Sequence, residues 1–182
     1  GVLMAGIHSN RLRWMVLTAV IMALGLTLPV VFHAVGLGSK FLPMLLPLLL
    51  NGFLSPLGWA VFTGAATPLV SALLTGMPPL YPPVAAVMSV EGAVLGLVAG
   101  LVYRATGHRV WPALVAAILC GRLTSAGLSW TVANLFDLPA RLSVAASMLQ
   151  GLPGVVLQLA VVPLVLKVLK TRKGPLFADA RD

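Results

Sequence analysis

The 182-residue chain is 59% hydrophobic and 9% charged, with twelve Lys and Arg against four Asp and Glu and a net charge of +8. A soluble domain is roughly half apolar and about a quarter charged, so this composition excludes a water-soluble globule and leaves lipid as the solvent. The basic residues sit at the ends of apolar runs rather than along a stripe, which argues against nucleic acid and matches the flanks of membrane spans.

Proline, glycine and charge punctuation divides the chain into six apolar runs. They cover approximately residues 14–34, 41–54, 57–75, 84–103, 111–136 and 143–169. The fold expected is an all-α, six-transmembrane-helix bundle, with residues 1–182 forming a single integral membrane domain. The first run follows Arg11 and Arg13, as a signal peptide would, but more apolar runs follow and it is read as a retained helix. The second carries Pro43 and Pro47 and is too short to cross roughly 30 Å of hydrocarbon upright, so a short or kinked helix is expected. Between the third and fourth runs, the stretch Met77–Pro83 holds four prolines in seven residues. Such a segment is stiff and extended; it is either a wall over a pocket or a plain connector.

Orientation follows from Lys and Arg. With the N-terminus inside, the cytoplasmic set is Arg11, Arg13, Arg104, Arg109, Lys167, Lys170, Arg172, Lys173 and Arg181, against Lys40 and Arg141 outside. That asymmetry places both termini in the cytoplasm.

Ionisable groups within a span are the clearest functional signal in such a chain. Glu91 lies about 10 Å from the outer end of the fourth run, and Arg122 about 16 Å from the inner end of the fifth, at about 1.5 Å per residue. Consecutive helices joined by a short turn run antiparallel, so the two groups reach similar depths and can pair. The pair either pins helix register or faces a polar ligand. Because each group costs about 2.5–3.5 kcal/mol to insert at a helix centre, the second reading is favoured.

Weaker candidates lie around them. Trp130, Asn134 and Gln150 occupy the outer halves of their helices, where they can join Glu91; Asn51 and Gln158 are further intramembrane amides. Amides also bond across helices and Trp anchors at interfaces without any ligand. His33, at the outer end of the first helix, reads as a solvated interfacial residue. The lone Cys120 reads as a small buried thiol, and no Cys/His grouping suggests a metal. With no nucleotide-binding, nucleophile-elbow or paired-carboxylate motif, neither an enzyme nor a cofactor is expected.

The first helix carries small residues four apart, Ala19 and Ala23, a spacing that admits a partner helix closely. Together with Leu42-Pro43-Met44, the segments Asn51–Gly58, Thr67–Pro79 and Glu91–Arg104, and Gly121-Arg122-Leu123, this ordered set resembles the substrate-binding S component of an energy-coupling factor (ECF) vitamin transporter. The resemblance implies a multi-pass protein of a bacterial or archaeal cytoplasmic membrane that captures a vitamin or related micronutrient at the outer face. It further implies docking through Ala19 and Ala23 onto a transmembrane T component driven by two cytoplasmic ATPases. Tyr81, Met88, Glu91, Arg122, Trp130, Asn134 and Gln150 are then the substrate-binding candidates, chosen by depth. Without the resemblance, a scaffolding membrane protein or a small secondary carrier using Glu91 accounts for the same residues.

Overall fold

The computed structural model describes residues 2–37, 42–81, 83–136 and 151–171. Among them are six helices and no strand: α1 (Val2–Ala34), α2 (Leu45–Leu54), α3 (Leu57–Thr75), α4 (Val84–Ala105), α5 (Val110–Leu135) and α6 (Leu152–Thr171). Five are long and apolar enough to cross a membrane, α1 over Asn10–Ala34. The ten residues of α2 reach only about 15 Å, in keeping with the short second helix expected. The early part of the sixth run, residues 143–150, lies outside the described residues.

Small residues set the architecture. A Cβ on Gly64 of α3 meets the carbonyl of Gly92 on α4, and a Cβ on Gly96 comes within 2.9 Å of the Ala60 carbonyl. Four residues forward on α4 are matched by four residues back on α3, which is antiparallel packing with the two backbones nearly touching. Gly52 of α2 joins the same seam, since a Cβ there lies 2.7 Å from the Gly96 carbonyl. In lipid no hydrophobic force draws helices together, and close backbone approach of this kind supplies the dispersion that does. The α4 stripe Gly92, Gly96 and Gly100 is therefore an internal surface.

The interior consists of Leu45, Leu48 and Leu49 of α2, Leu95 and Ala99 of α4, Leu114 and Ala117 of α5, and Val162 of α6. Although short, α2 is the most enclosed element, packed against α1, α3, α4 and α6. On α1, Thr18, Ile21 and Gly25 turn inward, and a Cβ on Gly25 comes within 2.8 Å of Thr67 Cγ2 on α3. Ala19 and Ala23 lie exposed.

The end bearing the C-terminus of α2 is closed by polar groups. Asn51, fully buried, donates from Nδ2 to Thr63 Oγ1 at 2.9 Å and accepts from Ser55 Oγ at 2.6 Å. Arg104 donates to the carbonyls of Gly100 and Ser55, at 3.1 and 2.9 Å. Lys170 Nζ of α6 stands 5.5 Å from the centre of the Tyr103 ring. Arg104 thus satisfies the Ser55 carbonyl at the turn after α2 with a charge-assisted donor, and the Thr63 and Ser55 hydroxyls account for Asn51 without a ligand.

Candidate functional site

At the opposite end of the bundle lies a cavity of about 320 Å³. Its walls come from four places in the chain: Pro29 and His33 of α1, the entry to α2 at Leu42, Pro43 and Met44, the loop at Met77, Pro78 and Pro79, and Val84 and Met88 of α4. The loop is held by its own sequence. Helix α3 ends at Gly76, whose φ of +73° is the left-handed closure glycine permits. The carbonyl of Met77 then accepts from Ser71 Oγ at 2.6 Å, and the Met77 amide donates to Thr75 Oγ1 at 3.2 Å. Beyond it, the Pro79 carbonyl accepts from the Ala85 amide at 3.1 Å, tying the loop to the start of α4. The proline-rich stretch is thus a fixed wall of the cavity. Leu42, before Pro43, has a φ of +44°, which is costly for a branched residue.

Among the described residues that line it, His33 is the ionisable one. His33 Nδ1 lies 2.8 Å from the Pro29 carbonyl. A carbonyl only accepts, so Nδ1 carries the proton, and in the neutral ring Nε2 presents its lone pair.

The ion pair sits one turn further into the bundle. Glu91 follows Met88 by three residues on α4 and is 2% exposed. Arg122 of α5 donates from Nη1 to Glu91 Oε1 at 3.1 Å. Room for the guanidinium is made by Gly151, where a Cβ falls 2.7 Å from Arg122 Nη2 and 3.2 Å from Leu42 Cδ1. Leu42, which lines the cavity, and the guanidinium thus both lie against Gly151.

The residues singled out in the sequence are distributed unevenly around this centre. Met88 lines the cavity and Glu91 and Arg122 form the pair behind it. Tyr81 is 75% exposed, with its ring edge-on to Phe136 at 5.6 Å. Trp130 is 59% exposed, and the exposed Asn134 spends its Nδ2 on the Trp130 carbonyl one turn back, at 2.9 Å. Gln150 lies outside the described residues. Gln158 is buried on α6, and Cys120 is exposed on α5 rather than buried. The cavity wall also takes His33, read from sequence as interfacial, part of the proline-rich stretch for which a wall was one of two readings, and Pro29, Pro43 and Met44, which were not marked as pocket residues because apolar residues are unremarkable in a membrane chain. No grouping of three His, Cys, Asp or Glu able to hold a metal occurs among the described residues.

A family model described as the substrate-specific component of the ECF transporter matches residues 13–166, most of the chain and all the elements just described except the start of α1 and the end of α6. No curated protein and no solved structure matches.

Proposed function

This chain belongs to the substrate-specific components of ECF transporters, and from that premise we propose that it captures a vitamin or related micronutrient outside a bacterial or archaeal cytoplasmic membrane and hands it inward. The cavity at the end of α1 and α4 supports this reading. It opens at the end opposite Arg104, Arg109, Lys167 and Lys170, the end that the distribution of positive charge assigns to the cytoplasm.

In this reading five helices cross fully and α2 is a partial span buried among them, which lipid tolerates because its backbone ends meet protein. Both termini are cytoplasmic. Met88 contacts the cargo directly with the Glu91–Arg122 pair one turn deeper, and Tyr81, Trp130, Asn134 and Gln150 remain the other substrate-binding candidates. The exposed Ala19 and Ala23 of α1 receive a coupling helix of a T component, and two ATPases supply the work.

The test is reconstitution. Proteoliposomes holding this chain, a T component and the two ATPases should accumulate cargo with ATP, and omission of any subunit should abolish uptake. Uptake by the chain alone would instead favour a secondary carrier, and failure to assemble with a T component would remove the proposal.

A further inference from the structure

A serine or threonine hydroxyl within a helix ordinarily turns back to the carbonyl four residues earlier. On α3, Thr63, Thr67 and Thr75 do so, donating to the carbonyls of Trp59, Thr63 and Ser71 at 2.6, 2.7 and 2.8 Å. Ser71 reaches the other way. This residue is 2% exposed, and its hydroxyl donates at 2.6 Å to the carbonyl of Met77, six residues ahead and beyond the end of the helix.

Met77 opens the run Met77-Pro78-Pro79, all three of which line the cavity. Neither proline has an N–H, so the run has little of its own with which to hold its shape. It is anchored instead from the helices at its two ends. At Met77 the anchor is Ser71; at Pro79 it is the Ala85 amide of α4, 3.1 Å from the Pro79 carbonyl. Thr75 helps at the first anchor by accepting from the Met77 amide at 3.2 Å. Its one hydroxyl proton, however, is nearer the Ser71 carbonyl, at 2.8 Å, than the Met77 carbonyl, at 3.2 Å. The Met77 carbonyl therefore depends on Ser71, and of the two anchors this is the one made by a side chain.

We propose that Ser71 is a positioning residue of the cargo site: its hydroxyl holds Met77, and through it the Pro78–Pro79 face of the cavity, in place before cargo arrives. This rests on the cavity being the cargo pocket. Ser71 acts through Met77 rather than on the cargo itself. A wall already in place spares binding the cost of ordering that segment.

The position of the wall is read by thiol reactivity, in the full chain in nanodiscs. Cys120, exposed on α5, is replaced by Ala, and Met88→Cys puts a thiol into the cavity wall. The probe is a cationic, water-soluble methanethiosulfonate. Ser71→Ala should raise the rate at Met88→Cys about fivefold, the equilibrium weight of about one neutral hydrogen bond. Ser71→Thr, which keeps the hydroxyl, should restore the slow rate. Ala117→Cys, in the fully buried core, reports general loosening and should stay unreactive throughout. An unchanged rate at Met88→Cys overturns the proposal, as does an equal rise at Ala117→Cys. Should Ser71→Ala not fold, the pair Ser71→Thr and Ser71→Val, which exchanges hydroxyl for methyl, carries the comparison. Assembly with the T component and ATPases is measured on the same variants. A wall effect in a chain that does not assemble overturns the transporter reading alone, whereas assembly without a wall effect overturns the positioning role alone.

Discussion

Arg122 and Glu91 meet across the α4–α5 seam through one Nη1–Oε1 contact of 3.1 Å, with the carboxylate almost fully enclosed and the guanidinium side chain 19% exposed. The acid is thus the more dependent partner. Separating two such charges leaves one ion in a poorly solvating interior, and that penalty, more than any net attraction, makes the pair necessary once present.

Glu91→Gln is therefore expected to destabilise the bundle by about 3 kcal/mol, read as a fall in Tm in detergent. The double substitution Glu91→Leu with Arg122→Met should recover most of the loss, because no lone charge remains. If the double variant is no more stable than Glu91→Gln, the pair is not a self-contained unit.

The α3–α4 seam makes an equally specific demand. Gly64→Ala drives a Cβ into the Gly92 carbonyl, and overpacking of this kind costs about 1–3 kcal/mol or more. Gly58→Ala, on the same helix with open space around it, should be neutral or stabilising by about 0.5–1 kcal/mol through helix propensity. Thermal unfolding of the two variants side by side measures the difference.

Asn51→Leu removes the acceptor of Ser55 and the donor to Thr63. A cost of about 1–3 kcal/mol is expected, chiefly from the Ser55 hydroxyl left without its acceptor. Thermal unfolding in detergent measures it, and Asn51→Asp, which keeps the acceptor, should lose less.

Ala19→Leu with Ala23→Leu changes side chains that face outward on α1. Stability and ligand binding should stay within experimental error while co-purification with a T component falls severalfold. Equal loss of binding and assembly would count against docking through this face.

The brief second helix and the meeting of Glu91 with Arg122 were legible in the sequence, because helix length and depth along a helix depend only on residue spacing. Azimuth was not. In water a helix announces its inner face by apolar periodicity, but here lipid and interior are equally apolar and that contrast disappears. Trp130 and Asn134 thus have the expected depth yet turn outward. Small residues are the signal that survives, and Gly92, Gly96 and Gly100 do mark an internal face. The same signal at Ala19 and Ala23 marks an open one, and spacing alone does not distinguish them. The cavity was legible only in part: the Met77–Pro83 stretch and Met88 were marked, but Pro29, Pro43 and Met44 were not, because their convergence depends on the loop after Gly76 and the entry to α2.

The glycine seam also limits how this molecule can move. Sliding α3 along α4 by one residue replaces each glycine-on-carbonyl contact with a side chain pressed on backbone, so the two helices resist shear and travel as a single plank, with α2 wedged against it at Gly52. Helix α1, held chiefly by α2 and α3, has no such lock. Any tilt of the protein in its bilayer then carries α3 and α4 together as one unit.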